Sequence, residues 1–328
     1  MGVVRIGALG AARITPGALI RPARKVAEAE VVAVAARDRA RAEKFAGKHR
    51  VANVYDGYDA LIAAPDLDAI YNPLPNGLHK TWTAAALEAG KHVLCEKPLT
   101  ANAEEAEQLA VTARQTGLVL MEAFHWRYHP LAQRMVDIVR SGELGTLQHV
   151  EAALCFPLPV FSDIRYQYDL GGGALMDAGC YAVHIVRTLG GEEPEVVRAT
   201  AKLRNPDVDR AMRAELEFPS GHTGTITCSM WSSSVLQVRA KAVGDRGEMR
   251  VLNPTTPQLY SRLKVSTTDG GRRVEHFPRK PTYEYQLEAF CAAVLRGEPT
   301  LTPPSESIAN MRVIDAIYRG AGMKVRGT

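Results

Sequence analysis

Over residues 1–124 the chain alternates between two textures, and this alternation constrains the fold more than any other feature. Short β-branched, apolar runs come at 3–9 (VVRIGAL), 30–36 (EVVAVAA), 68–74 (DAIYNPL), 92–96 (HVLCE) and 118–124 (LVLMEAF). Between them lie helical stretches: DRARAEKFAGKH with Asp38 placed as its cap, LHKTWTAAALEAG closing on Gly90, and NAEEAEQLAVTARQTG. The last has Asn102 and Glu105 at capping-box spacing and closes on Gly117. Strands that read as nearly continuous apolar runs between helices predict a parallel sheet covered on both faces.

The texture changes after this. One helix (130–141), one strand (146–155) and a loop rich in proline and aromatic residues lead to a helix from Ala174 to Leu189. From 195 to 277 apolar and polar residues alternate between turn signals such as Pro219-Ser220-Gly221 and Asp269-Gly270-Gly271, which predicts antiparallel sheet. Two helices, about 283–296 and 305–320, finish the chain. The fold expected is an α/β Rossmann domain over 1–124, then an α+β domain with a large, mostly antiparallel open sheet over 125–328, whose C-terminal helices are open to packing back on the first domain.

A length of 328 residues suits two domains with their own cores. The net charge of +4 comes with no basic block or stripe, which argues against nucleic acid. The five cysteines form no C-x-x-C pair, so neither a zinc site nor a disulfide framework is expected, and free thiols fit a reducing cytoplasm. No stretch is long and apolar enough for a membrane span or a signal peptide. The alternating sheet at 195–277 has one face to cover, so a homodimer or larger assembly is expected.

The first run leads into Gly7-Ala8-Leu9-Gly10-Ala11-Ala12-Arg13-Ile14-Thr15. A dinucleotide fingerprint wants glycine at the tight turn, glycine where backbone meets pyrophosphate, and a small residue where helix meets strand. Those places fall on Gly10, Ala12 and Thr15, with Arg13 and Ile14 in the same turn. The second run ends VAVAARD. The place of the acid that binds an NAD ribose is Ala36, and Arg37 follows, a side chain suited to the 2′-phosphate of NADP. NADP is therefore favoured. NAD is the alternative, with Asp38 as its ribose ligand two residues further on. Arg39 and Arg41 read as a solvated helix face.

The run at 92–95 stops on Glu96-Lys97-Pro98. In an open parallel sheet, ligands bind beyond the carboxyl ends of the strands, which points Lys97 into the cofactor crevice; a solvated turn residue is the plainer reading of a lone lysine after a strand. Pro98 fixes the turn and is open to a cis bond. Further on, Gly171-Gly172-Gly173 precedes Asp177, Tyr181, His184 and Thr188, one stripe at helical spacing. An acid, a phenol and an imidazole share that stripe, and the glycines let something approach the helix start. A solvent-facing stripe is the plainer reading and accounts for His184 and Thr188, but poorly for the glycines. A phenol has a pKa near 10, and a neighbouring ammonium lowers it.

Gly7-x-x-Gly10, Pro73-Leu74-Pro75-Asn76-x-x-His79, Glu96-Lys97-Pro98 and Gly-Gly-Gly-x-x-x-Asp177-x-Gly-x-Tyr181 together resemble the Gfo/Idh/MocA oxidoreductases. The resemblance runs nearly end to end, through Tyr285-Gln-Leu-x-Ala-Phe290 and Val313-Ile-Asp-Ala-Ile-Tyr318. Tyr181, where many members carry histidine, and the segment Met121–Pro130 are similar to the dihydrodiol, glucose–fructose and xylose branch. Ala12 departs from the usual glycine of the cofactor loop. The resemblance implies an NAD(P)-dependent dehydrogenase or reductase acting on a sugar, polyol or cyclic diol. It implies that Lys97 borders the nicotinamide, Tyr181 exchanges the proton, and Asp177 orients the pair. It also implies that Glu96, Pro75, Asn76 and His79 line the cofactor crevice, with Trp126 and Arg127 at the nicotinamide end. Phe156, Phe161, Arg165 and Tyr168 are the residues expected to wall the substrate pocket. The rival readings are a nucleotide-binding regulator without catalysis and a glycosidase that uses tightly held NAD.

Overall fold

The computed structural model describes residues 2–233 and 236–328. They fall into two units. The first holds Met1–Thr100, Glu104–His125 and Tyr283–Ile308; the second holds Ala101–Ala103, Trp126–Thr282 and Ala309–Thr328. The helices are α1 (Arg21–Ala23), α2 (Arg39–His49), α3 (Gly57–Ile62), α4 (His79–Glu88), α5 (Ala103–Thr116), α6 (Pro130–Arg140), α7 (Cys180–Gly190), α8 (Thr282–Arg296) and α9 (Pro304–Gly320).

The first unit is built on a parallel sheet of β1 (Val4–Leu9), β2 (Ala29–Ala36), β3 (Asn53–Asp56), β4 (Ala69–Asn72), β5 (His92–Cys95) and β6 (Leu120–Glu122). Its order is β3-β2-β1-β4-β5-β6, so the chain direction across the sheet reverses between β1 and β4. Every residue of β4 is buried, as are the last three of β5, which is why these strands read as unbroken apolar text. The edge strand β3 is absent from the sequence reading. Its NVYD has no buried residue and polar ends, so no periodicity marks it.

The second unit carries an eight-stranded sheet of β7 (Leu147–Cys155), β8 (Glu195–Asn205), β9 (Val208–Glu217), β10 (Thr223–Ser229), β11 (Gln237–Gly244), β12 (Gly247–Leu252), β13 (Arg262–Thr267) and β14 (Arg272–Glu275). The order is β14-β13-β12-β11-β7-β10-β9-β8, antiparallel throughout except where β10 lies parallel to β7. The expected fold class holds for both units.

The helix carrying Tyr181 differs from expectation. It opens with a wide π-type turn, Leu175–Gly179, before α7. That turn breaks the regular spacing, and α7 is buried on every side from Cys180 to Arg187. His184 is 1% exposed, so the stripe is no solvent face. All five cysteines are buried free thiols. Among the described residues no helix is long and apolar enough to cross a membrane, and no group of three or more His, Cys, Asp or Glu could hold a metal.

Candidate active site

Three turns follow neighbouring strands at the carboxyl edge of the first sheet: Gly10 after β1, Pro73–Asn76 after β4, and Glu96–Lys97 after β5. They flank the point where strand order reverses, the place where an open α/β sheet leaves a crevice. Gly10 has φ +79°, which an L side chain adopts only with strain, and its N–H donates to the Ala35 carbonyl at 2.6 Å. Ala12 is half-buried, Arg13 and Ile14 are exposed, and Thr15 is fully buried. The Thr15 hydroxyl has no hydrogen-bond partner among the described residues. Gly10 presents no side chain where the turn leaves β1, which fits the close backbone approach of a bound phosphate or pyrophosphate.

β2 ends at Ala36, and Arg37 is exposed beyond it. Asp38 caps α2, accepting the Arg41 N–H at 3.3 Å. Arg39 is exposed and pairs with Glu43 at 2.8 Å and Asp56 at 2.5 Å, a solvated face as read. Arg41 departs from that reading: its guanidinium donates to the Ala11 carbonyl at 3.0 Å and ties α2 to the nucleotide turn.

Lys97 is half-buried, and the Lys97–Pro98 peptide bond is cis. Its neighbours are held from inside. Glu96 is 8% exposed and accepts the Tyr71 hydroxyl at 2.7 Å; its N–H donates to the Asn72 carbonyl at 2.9 Å. The buried Glu122 carboxylate accepts the Leu99 N–H at 2.9 Å. Pro75 and Asn76 are half-buried on the turn after β4. The Asn72 amide braces that turn, donating to the His79 carbonyl and Thr83 Oγ1 and accepting the Leu74 N–H.

His79 needs correction. Its side chain is completely buried, and its two ring nitrogens meet the carbonyls of Pro98 (2.8 Å) and Leu74 (2.7 Å). It cannot line a crevice; it sits between two crevice turns, where a neutral ring donates its one N–H to one of the two carbonyls. Burial lowers its pKa to about 4 against the pull of both carbonyls, so the ring is neutral at pH 7. His125, with its centroid 4.1 Å from the Tyr283 ring, is lowered to about 3 by burial and then by the Lys97 charge.

In the second unit Asp177 accepts from Arg165 Nε at 3.0 Å. Arg165 also pairs with Asp163 at 3.2 Å, and its carbonyl accepts the Gly173 N–H at 2.8 Å. Tyr181 follows Asp177 on the next turn and is 8% exposed. Arg127 is half-buried. Trp126 is fully buried, and its indole N–H donates to His184 Nδ1 at 3.1 Å with the rings edge-to-face. So enclosed a side chain presents no exposed surface, in contrast to the place at the nicotinamide end expected of it.

The four expected pocket residues also divide. Arg165 joins Asp177, and Phe156 is half-buried just past β7. Phe161 packs on Tyr166 and Trp231, with Arg204 4.5 Å above its ring. Tyr168 is committed elsewhere: its hydroxyl donates to the carbonyls of Val325 (3.0 Å) and Thr328 (3.3 Å).

Residues 4–124 match the family model described as "Oxidoreductase family, NAD-binding Rossmann fold", and residues 132–250 match the "GFO/IDH/MocA C-terminal domain". A relative named D-xylose 1-dehydrogenase (NADP(+)) 2, from Haloferax volcanii, is 40% identical over 316 residues, 96% of each chain. This chain is a Gfo/Idh/MocA oxidoreductase. A trans-1,2-dihydrobenzene-1,2-diol dehydrogenase of Bos taurus is 35% identical over 69% of this chain and 67% of its own. Among solved structures, a 3-ketoreductase from Actinomadura kijaniata in complex with NADP and TDP-benzene superposes with a TM-score of 0.90 at 32% identity, covering 97% of this chain and 98% of that one. The motifs that carried the Gfo/Idh/MocA resemblance thus lie in a chain of that family.

Several residues of this oxidoreductase escaped the sequence reading: Asn72, Glu122, Asp209 and Arg326. Asn72 and Glu122 carried a faint signal, each a polar residue ending an apolar run. Asp209 and Arg326 carried none, because their partners are distant in the chain.

Proposed function

We propose that this oxidoreductase uses NADP and moves a hydride between the nicotinamide and the carbinol or carbonyl carbon of a sugar, polyol or cyclic diol. The observation that carries the reading is the position of Lys97, just past β5 at the strand-reversal edge, on a turn fixed by Glu96, Glu122 and His79. A surface lysine needs no such support.

Gly10, Ala12, Arg13, Ile14 and Thr15 form the turn that holds the pyrophosphate, and Arg37 takes the 2′-phosphate. Asp38 is occupied as a helix cap and Ala36 offers no carboxylate, which supports NADP over NAD. Bound NADP supplies the hydride site. The protein's part is the proton. When an alcohol is oxidised, its carbinol C–H leaves as hydride, and the hydroxyl proton passes to the Tyr181 phenolate. The Lys97 ammonium favours that phenolate, and Asp177, held by Arg165, orients the phenol. In reduction the same proton returns to the carbonyl oxygen. The names of the relatives support sugars and diols as substrates. Exposed Val197, Leu203, Leu252 and Val274 on the second sheet support pairing with a second copy, which light scattering tests.

The deciding experiment follows reduced-nicotinamide absorbance across a panel of sugars and cyclic diols, with NAD and NADP side by side. Turnover with added, exchangeable NADP is expected. Activity only with a cofactor that never leaves the protein, or none with any panel member, overturns the proposal.

A further inference from the structure

Beneath the triple glycine lies a buried ion pair that the proposed chemistry does not use. Asp209 and Arg326 are both 0% exposed, with Arg326 Nη2 3.0 Å from Asp209 Oδ1. The same carboxylate accepts the Tyr318 hydroxyl at 3.0 Å and, through Oδ2, the Leu175 N–H at 2.7 Å. Arg326 Nε donates to the Gly172 carbonyl at 2.7 Å, and Nη1 to the Lys324 carbonyl at 3.1 Å. The guanidinium lies 4.2 Å from the Tyr318 ring centre and 5.0 Å from that of Tyr168. The Arg326 carbonyl accepts from Asn102 at 2.9 Å, and Tyr168 holds the carbonyls of Val325 and Thr328.

The glycines now have a reason. A Cβ on Gly173 would lie 2.3 Å from Asp209 Oδ1 and 2.8 Å from the Tyr318 hydroxyl; one on Gly172 would meet the Gln167 and Arg165 carbonyls at 2.6 and 2.7 Å. What approaches the helix start is this cluster.

A buried ion pair is a poor way to add stability, since desolvation consumes most of its attraction and apolar residues fill the same volume as well. What it adds is direction. Its charge-assisted bonds fix the Gly172 carbonyl and the Leu175 N–H, and the Asp177 N–H donates in turn to the Gly173 carbonyl at 3.0 Å. Small misplacements of a reacting group cost rate far out of proportion to their size.

We propose that Arg326 is a positioning residue: paired with Asp209 under Gly172 and Gly173, it sets the register of the helix that presents Asp177 and Tyr181. The inference rests on the acid–base reading of Tyr181. The test uses the panel substrate turned over fastest by the wild type, and compares Arg326→Met, Arg326→Lys, Tyr168→Phe and Tyr181→Phe. It records kcat, KM, the pH profile of kcat and NADP affinity, each well below that variant's melting temperature. Expected for Arg326→Met is a kcat lower by at least about tenfold, a shifted pH profile, and NADP affinity within about twofold of wild type. Arg326→Lys recovers part of that loss, and Tyr168→Phe loses about two- to fivefold. A folded Arg326→Met with a lower melting temperature but wild-type kcat and pH profile overturns the proposal. If Arg326→Met does not fold, Arg326→Lys and Tyr168→Phe decide, and wild-type kcat and pH profile in both overturn it. An inactive Tyr181→Phe beside a wild-type-like Arg326→Met sinks only this inference. An active Tyr181→Phe sinks the acid–base reading and this inference with it.

Discussion

The supports around Lys97 and Tyr181 are built on different scales. Lys97 ends a central parallel strand, and its turn is fixed largely by nearby text: Tyr71 on Glu96, His79 on Pro98, Glu122 on Leu99. The partners in those bonds lie 25, 19 and 23 residues apart. The helix of Tyr181 is fixed at its start by Asp209, 34 residues beyond Leu175, and by Arg326, 154 beyond Gly172. A strand end in a parallel sheet is a ready-made address, set by the sheet alone. A helix crossing a second sheet has no such address and needs distant residues to set where it begins.

The largest expected effect tests whether both groups do the same job. Lys97→Met and Tyr181→Phe should each lower kcat by a hundredfold or more, within the roughly 10²–10⁴ expected of a general acid–base group, while NADP still binds. Steady-state kinetics with cofactor titration checks this, and near-normal turnover in either variant removes that residue from the couple.

Two glycines sharpen the contrast next. Gly173 (φ +141°) stands against the buried carboxylate, so Gly173→Ala should cost roughly 3–5 kcal/mol of stability from strain plus overlap. At Gly10 (φ +79°) the added methyl would meet the end of the Leu74 side chain at 3.1 Å and the Tyr58 hydroxyl at an ordinary 3.8 Å, so Gly10→Ala should cost about 1–2 kcal/mol. Denaturant unfolding ranks them, and the reverse order would show that the Asp209 cluster yields easily.

Acid probes the first unit through His79. Its folded pKa of about 4 lies below the unfolded 6.5, so the unfolded chain binds the extra proton. Stability is therefore lost as pH falls from about 6.5 to about 4, by on the order of 3 kcal/mol. His79→Gln should flatten that part of the stability–pH curve, and an unchanged slope would mean that the imidazole is charged where it lies buried.

The smallest effect belongs to the second unit. Glu275 accepts two bonds from Arg134 (2.8 and 2.9 Å) and one from Arg273 (2.7 Å), and Arg134 foremost holds its carboxyl down at about 2. A depressed carboxylate contributes above its unfolded pKa near 4.5 and loses that contribution as pH falls towards about 2. Glu275→Gln should cost on the order of 1 kcal/mol at neutral pH, and the difference from wild type should vanish near pH 2.

The same difference in scale decides how much could be read in advance. The apolar strands, the turn at Gly10 and the Glu96-Lys97-Pro98 end are local patterns, and the structure places them as the text suggested. The strand β3 went unread because a half-covered edge of four residues leaves no pattern. His184 was misread because helical spacing reveals a stripe but not what covers it, and here Trp126 does. Asp209 and Arg326 look like ordinary surface charges in the sequence; only folding makes them partners.

The burial of every thiol gives the molecule a built-in reporter. Cys95 and Cys291 belong to the first unit, and Cys155, Cys180 and Cys228 to the second. A maleimide added to the native protein can label a cysteine only while its surroundings are open. Mass spectrometry of the labelled peptides therefore times the breathing of the two halves separately, without any engineered probe.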